Sequence, residues 1–310
     1  MRYVFIINPT AGKGKGVELL TPLIENYFAD KDVNYKIIIT SAQGEAKTVA
    51  KAEAAVGDEV AVFACGGEGT CFETVNGIVG HNNVHFGVIP CGSANDFLKY
   101  FGDKSHFLDI ENMVNGAPLS IDLIKAGENY CINQCSVEMD AMVADDMVLF
   151  KRLPGVSGPM AYNLAVVKTF LRKLGITARL KIDGVSKGDV RCLFAVCANG
   201  PVYGGGYISA PYADPADGKL EYTIIDCMSR FKVPAFLKVY SKGAQEGKKY
   251  CKMGKCSVME IESDKPIPVN FDGEIVRMKS IRFEIVEKAL KFIIPASLVQ
   301  KFKTLAVAQI

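Results

Sequence analysis

The chain has 310 residues, of which 49% are apolar and 23% charged, and its net charge is +2. Such a length accommodates two domains with a substantial core, and so small a net charge gives no electrostatic reason to expect nucleic acid. No apolar run reaches the ~20 residues that span a bilayer, and Met1-Arg2 leads straight into a strand pattern, so neither a membrane span nor a signal peptide is expected.

In chain order, Tyr3 to Ile7 reads as a buried strand closed by Asn8-Pro9, and Val17 to Phe28 has helical spacing. Tyr35 to Ile39 is a second strand, Glu45 to Ala55 a helix, Val60 to Ala64 a third strand and Phe86 to Ile89 a fourth. Strands apolar on both faces and separated by helices predict a parallel sheet covered on both sides. From about Ser120 the apolar runs shorten between Gly, Pro and Asp turns, as at Cys192 to Ala198, Leu220 to Ile225, Ser257 to Ile261, Pro268 to Phe271 and Ile281 to Val286. That pattern predicts an antiparallel sandwich. Met160 to Leu174 and Phe231 to Gly243 are the helical exceptions, Lys151 to Pro159 reads as a mobile loop, and Ala296 to Leu305 has helical periodicity. The predicted division is an α/β domain over 1–120, completed by 290–310, and a β-rich domain over 121–289.

Ten cysteines contain no Cys-x-x-Cys pair and several lie in apolar runs, which predicts free thiols in a reducing, cytoplasmic compartment. The three histidines lie near no chemical motif and are not spaced as metal ligands. Two basic clusters, at Lys168, Arg172, Lys173 and at Lys248, Lys249, Lys252, Lys255, read as solvated faces, with an anionic membrane surface as the alternative.

The chemistry is concentrated in glycine-rich turns after the first, third and fourth strands, where an open parallel sheet places its ligand crevice. Gly66-Gly67-Glu68-Gly69-Thr70 precedes the helical run Cys71 to Ile78, with Thr70 and Glu73 read as a capping box. Backbone N–H groups at such a helix start bind phosphate, and glycine lets the backbone approach it. Gly92-Ser93-Ala94-Asn95-Asp96 repeats the arrangement, with Ser93 as predicted N-cap. The carboxylates of Glu68 and Asp96 suit a magnesium ion on a nucleotide. Asn8 to Gly16 adds glycines and two lysines but is not a P-loop, and either a third glycine turn of the site or a solvated loop fits it. Asp272-Gly273-Glu274 reads equally as a hairpin turn with solvated acids.

The ordered set Asn8-Pro9, Gly66 to Thr70, Pro90 to Asp96 and Asp272-Gly273-Glu274 resembles the diacylglycerol kinase catalytic-domain family, which includes bacterial soluble lipid kinases and is similar to sphingosine and ceramide kinases. Ile121-Asp122-Leu123, Asn199-Gly200, Gly204 to Gly206 and Asp217-Gly218-Lys219-Leu220 extend the match to about residue 295.

The resemblance implies an N-terminal α/β nucleotide domain with a parallel sheet, a C-terminal antiparallel β-sandwich domain, and ATP and a lipid meeting in the cleft between them. By position it implies a nucleotide site lined by Asn8, Pro9, Thr10, Ala11, Gly12, Thr40, Gly66, Gly67, Glu68, Gly69, Thr70, Cys71, Phe72, Ser93 and Asn95. Asp96 and Glu68 would organise Mg2+, Glu274 would act as general base and Asp122 as supporting acid. Asp214, Asp217 and the Lys219 carbonyl match a structural magnesium site.

Three positions depart from the family: Glu68 stands for the usual aspartate, Ser93 for threonine and Glu138 for glycine. The expected activity is transfer of the γ-phosphate of Mg-ATP to a lipid hydroxyl, most simply a diacylglycerol, by a cytoplasmic protein meeting its substrate at the inner face of the membrane. An NAD kinase and a non-catalytic member that binds nucleotide or lipid are the alternatives. The oligomeric state is unreadable, and a homodimer stays open.

Overall fold

The computed structural model describes residues 1–91, 95–151, 153–156, 158–172, 174–204 and 206–302. The chain divides into two compact units: Met1–Leu123 with Pro215–Asp217 and the chain from Val286 onward, and Ile124–Asp214 with Gly218–Ile285.

The first unit alternates β1 (Arg2–Ile7), α1 (Gly16–Phe28), β2 (Tyr35–Ile39), α2 (Glu45–Ala54), β3 (Val60–Gly66), α3 (Glu68–Ile78) and β4 (Val84–Pro90), followed by α4 (Ile110–Val114) and β5 (Ala117–Ala126). The strands pair in the order β2-β1-β3-β4 and all run parallel. β3 and β4 are buried at every residue, which accounts for their unbroken apolar runs. Chain order reverses at β1, since β2 pairs on one side of it and β3 on the other. Right-handed crossovers therefore place α1 on one face of the sheet and α2 and α3 on the opposite face.

Phe28 of α1 packs on Phe5 and Tyr35, and Phe5 stacks on Phe63 at 4.9 Å. On the other face α2 presents Ala46, Ala50 and Ala54 to α3, so the two helices pack closely at Gly77. After β4 a short 3-10 helix, Asp96–Tyr100, is anchored by aromatic rings. Phe101 stacks on Phe292 at 5.0 Å, and Phe97 meets the same ring edge-on at 5.5 Å. Lys291 and Phe292 add a fifth parallel strand beside His85 and Phe86 of β4. Ala296–Leu298 is a 3-10 turn and residues 299–302 are helical; the rest of the predicted tail helix lies outside the described residues.

The second unit contains β6 (Asn129–Cys131), β7 (Gln134–Glu138), α5 (Met139–Lys151), α6 (Gly158–Leu171), β8 (Ile176–Ile182), β9 (Val185–Ala198), β10 (Val202–Tyr203), β11 (Tyr207–Ile208), β12 (Leu220–Asp226), α7 (Val233–Tyr240), β13 (Cys251–Cys256), β14 (Val258–Phe271) and the first part of β15 (Glu274–Ile294). Its pairings are antiparallel throughout: β13-β12-β9, then β7 and β8 in succession between β9 and β14, then β15. The runs Ser257 to Ile261 and Pro268 to Phe271, read as separate strands, are the two ends of β14. Its register against β15 shifts between Glu262 and Ile267.

The α5–α6 pair is inserted where β7 leaves the line that β8 later resumes. The helix α5 has no apolar stripe of its own, which is why periodicity missed it, and the expected loop from Lys151 to Pro159 shrinks to the turn between α5 and α6. Lys168 of α6 and Arg172 just beyond it are not a solvated cluster. Both grip the buried Asp146 of α5, at 2.8 and 3.0 Å, and so staple the two helices; Lys173 lies outside the described residues.

Glu138 is the residue at which the chain turns out of the sheet into α5. Its φ of 71° lies in the left-handed region, where glycine is free of steric cost, and its side chain is buried. The glycine that the resemblance leads one to expect here would adopt this conformation without strain. All ten cysteines are free, and among the described residues no helix is long and apolar enough to cross a membrane.

Two measurements test this packing. A Cβ at Gly77 would fall 2.4 Å from the Lys47 carbonyl oxygen, part of a backbone that cannot yield. Gly77→Ala should therefore destabilise by about 1–3 kcal/mol despite the ~1 kcal/mol better helix propensity of alanine, which thermal melting will show.

Burial pushes the Glu138 carboxyl up to about 7, against the opposing charge of Arg277. The folded chain thus holds this proton more tightly than the unfolded chain, whose glutamate titrates near about 4.3. The stability tied to it is fully present below that unfolded value and is lost as pH rises through about 7. Glu138→Gln should match the wild type near about pH 4 and melt higher than it above about pH 7, a gap that opens along a pH series of melts.

Candidate phosphate-binding and catalytic site

Strand pairing continues one step beyond the sheet at three carboxyl ends of the first unit. Asn8 N–H donates to the Cys65 carbonyl (3.1 Å), Thr40 N–H to Ile7 (3.0 Å) and Cys91 N–H to Gly66 (3.1 Å). The loops that follow β1, β2, β3 and β4 therefore leave the sheet side by side.

The turn after β3 is built around Thr70. Asn8 Nδ2 donates to Thr70 Oγ1 at 3.2 Å, while Asn8 Oδ1 accepts from the N–H and hydroxyl of Thr10 at 2.9 and 2.8 Å. A Cβ on Gly66 would lie 2.3 Å from Thr70 Oγ1, so only glycine allows this return of the chain. The helix starts earlier than predicted, at Glu68, and the capping box is not formed. The N-cap is Gly67, which has no side chain to satisfy the first-turn N–H groups, and Thr70 is buried inside the first turn. Glu73 instead accepts from the N–H groups of Gly44 and Ala46, at 2.8 and 3.2 Å, and docks the start of α2 onto α3. Glu68, Gly69 and Phe72 are half-buried on this first turn and Cys71 is buried.

The turn after β4 is tied to the same point. Asn95, held at φ 116°, donates from Nδ2 to the Gly66 carbonyl at 3.0 Å, and its Oδ1 accepts from Cys71 Sγ at 3.8 Å. Asp96 begins the 3-10 helix and is nearly inaccessible. Lys99 Nζ donates to its Oδ1 at 2.6 Å, so a cation on Asp96 would share this carboxylate with an ammonium. Ser93, the predicted N-cap, lies outside the described residues.

The loop after β1 is left-handed at Gly12 and Lys13, with φ 61° and 60°, and a Cβ on Gly12 would meet the Cys91 carbonyl oxygen at 2.9 Å. This close approach joins the loop carrying Pro9, Thr10, Ala11 and Gly12 to the turn after β4, while Thr10, Lys13, Gly14 and Lys15 stay exposed. Thr40 is buried, with its hydroxyl turned to the Ile7 carbonyl at 3.4 Å.

The remaining predicted residues have other surroundings. Asp122 on β5 is buried; its N–H donates to the Pro215 carbonyl at 2.7 Å, and its Oδ1 accepts from the N–H of Lys288 at 2.7 Å. Lys288 has φ 50°, so this carboxylate holds an irregular point of β15. Asp214 is half-buried, and Asp217 and Lys219 are exposed; among the described residues no three acid, histidine or cysteine side chains converge as a metal cluster.

Asp272-Gly273 is a two-residue hairpin turn, with φ 48° and 103° and Phe271 paired with Glu274. Asp272 is not a solvated acid, however. It accepts from the N–H groups of Ile132, Asn133 and Gln134 at 2.6, 3.2 and 2.7 Å, and desolvation pushes its carboxyl up to about 6 against those three bonds. Glu274 follows as the half-buried first residue of β15. Glu73 on α2 was not anticipated, because its contact is one that no local spacing signals, whereas the i,i+3 spacing of Asp96 and Lys99 could have shown their pairing.

The N-terminus of α3, which has no capping side chain, lies beside the reversal point of the parallel sheet, where α/β proteins commonly receive phosphate. Residues 2–126 match the family described as diacylglycerol kinase catalytic domain, and residues 134–294 match the YegS C-terminal NAD kinase beta sandwich-like domain. The chain is 30% identical over 248 residues to a protein of Shewanella frigidimarina (strain NCIMB 400) named "Probable lipid kinase YegS-like", covering 78% of this chain and 79% of that one. Its fold is similar to a crystal structure described as a diacylglycerol kinase from Bacillus anthracis str. Sterne, with TM-score 0.71 at 19% identity over 96% and 98% of the two chains. An NAD kinase from Archaeoglobus fulgidus in complex with ATP is more distant, at TM-score 0.50 and 14% identity over the full length of both. The chain belongs to the family of YegS-like lipid kinases built on a diacylglycerol kinase catalytic domain.

Gly67 tests the phosphate site. A Cβ there would have nothing within 4 Å, and its φ of −100° suits any residue. Gly67→Val should leave the melting temperature within about 2 °C yet weaken ATP binding about tenfold or more by calorimetry, because the branched side chain covers the N–H groups that would face phosphate.

Proposed function

We propose that the protein is an ATP-dependent lipid kinase that transfers the γ-phosphate of Mg-ATP to the hydroxyl of a diacylglycerol-like lipid. The observation that supports this most is the start of α3, where Gly67 leaves the first-turn N–H groups without a side-chain cap and Glu68 follows directly. Such a terminus suits the phosphates of ATP, which the membership in a lipid kinase family makes the expected donor. Asn8, Thr10 and Gly12 shape one wall and Asn95 the other.

The carboxylates of Glu68 and Asp96 form the hard oxygen donor set that magnesium takes, with the phosphates and water completing it. The ion would supply charge neutralisation at the transferred phosphoryl group. Asp96 is held in place by Lys99, which orients its carboxylate.

Glu274 is the candidate base, set at the start of β15 by the hairpin turn that Asp272 anchors. In the reaction the lipid O–H proton passes to Glu274, the freed oxygen forms a bond to the γ-phosphorus, and the bond from that phosphorus to the bridging oxygen of ADP breaks. Asp122, which holds the backbone N–H of Lys288, would be the supporting acid, as a positioning residue. Asp214, Asp217 and the Lys219 carbonyl would provide a structural magnesium site around the acidic turn.

The test is incubation with labelled ATP and mixed-lipid vesicles, followed by mass spectrometry of the product. Phosphorylated diacylglycerol or a related lipid alcohol is expected, and ATP binding without any lipid product would overturn the reading. Turnover of NAD in the absence of vesicles would favour the NAD kinase alternative. Glu274→Gln should lower kcat by about 10²- to 10⁴-fold with the KM for ATP unchanged. Glu68→Asp should lower turnover about tenfold or more, as expected of a site adapted to the longer side chain, whereas a large gain would mark the native site as degenerate.

A further inference from the structure

The second unit carries an exposed feature that neither the sheet nor the phosphate site requires. Phe231 lies in the 3-10 turn Arg230–Lys232 that leads into α7, and 88% of its surface is open to solvent, the largest exposure among the described large apolar residues. The helix is fixed to the core through Val233, Phe236 and Tyr240, which belong to a buried cluster with Leu193, Phe194 and Ile225. Its opposite face presents Lys232, Ala235 and Lys238 at helical spacing, with Lys242 just beyond its end.

Between Arg230 and Lys249 the chain has six exposed cations, Arg230, Lys232, Lys238, Lys242, Lys248 and Lys249, and one acid, Glu246. The Glu246 carboxylate accepts the hydroxyl of Tyr212 at 2.5 Å, and Tyr212 itself is 57% exposed. This segment nets +5 in a chain that nets +2, so it is a local concentration of positive charge against a remainder of −3. Tyr250 packs edge-on against Phe236 and Gln245 Nε2 donates to the carbonyls of Ile208 and Ser209, which hold the basic loop beside α7.

An apolar ring projecting between two cations, above a lysine-bearing helix face, combines the two elements of interfacial membrane attachment: an inserted side chain and attraction to anionic headgroups. We propose that the Arg230–Lys249 segment, with Phe231 as its inserting residue, is the surface by which this protein docks on an anionic lipid bilayer. The occupant is a bilayer because an exposed phenylalanine gains nothing from a free anion or a purely charged polymer. The proposal rests on the lipid-kinase reading for its purpose, since a substrate that stays in the bilayer must be met there.

The experiment is flotation of the full chain with vesicles of phosphatidylcholine alone and of phosphatidylcholine mixed with phosphatidylglycerol. Binding to the mixed vesicles, lost at high salt and absent with phosphatidylcholine alone, is expected. Phe231→Ser and the combined variant Lys232→Glu, Lys238→Glu, Lys242→Glu should each weaken it about tenfold or more. Lys187→Glu, at the exposed start of β9, should leave it unchanged. All four side chains are exposed, so the variants should melt with the wild type, and phosphorylation of a short-chain, water-soluble diacylglycerol should be unchanged in them.

Failure of the wild type to float with anionic vesicles would overturn the docking surface, as would undiminished binding by both variants or binding to RNA in place of vesicles. Loss of lipid phosphorylation in every chain, with flotation still dependent on Phe231, would instead remove the kinase reading and leave the surface standing.

Discussion

The carbonyl oxygen of Gly66 accepts two hydrogen bonds, from Cys91 N–H at 3.1 Å and from Asn95 Nδ2 at 3.0 Å, while the missing side chain of the same residue admits Thr70 beneath it. The first bond keeps the turn after β4 in register with β3. The second draws the asparagine before Asp96 against the turn before Glu68. Thr70 in turn receives Asn8, the residue that ends β1. Three loops far apart in sequence are thus assembled on one glycine, and a larger residue there would displace Thr70 and release the loop after β1. The arrangement also holds Asn95 at a φ of 116°, a cost of the order of 1–3 kcal/mol that the amide bond to Gly66 offsets.

The second unit shows a comparable dependence of irregular backbone on buried polar groups. Asp272 occupies a left-handed turn, and its carboxylate takes the N–H groups of three successive residues at the start of β7. The hairpin that presents Glu274 is therefore held from the side by the strand whose far end, at Glu138, bends into α5. Both acids sit where desolvation opposes their charge, and both mark points at which the chain departs from regular pairing. Buried carboxylates here replace missing strand bonds, and Asp122 does the same for the N–H of Lys288. An acid in the sequence of such a family is thus as readily a holder of backbone as a group that touches substrate.

The family is one of kinases, and the phosphate turn and α7 surface proposed above would suit a substrate held at an interface. Phosphoryl transfer needs mainly positioning and charge neutralisation. That explains why the most constrained backbone lies at the glycine turns, whereas exposed lysines around Phe231 carry no structural load.

The sequence by itself determined the parallel β/α alternation, because strands buried on both faces must be continuously apolar and their covering helices must not be. It also determined the antiparallel character of the second unit, through short runs between turn residues, and the presence of a glycine-rich strand-to-helix turn at Gly66 to Thr70. The roles within that turn were decided only by tertiary structure. Thr70 and Glu73 have the spacing of a capping box, yet Glu73 finds two N–H groups on α2 closer to hand than its own helix start. Asp272 reads as a surface turn acid until the β6–β7 backbone closes over it. The helix α5 was hidden because Asp146 on it is buried by pairing with Lys168 and Arg172, which erases the apolar periodicity on which a helix is recognised. Periodicity records burial against a single face. Polar groups satisfied by distant partners leave no such record, so their placement appears only when the chain is folded.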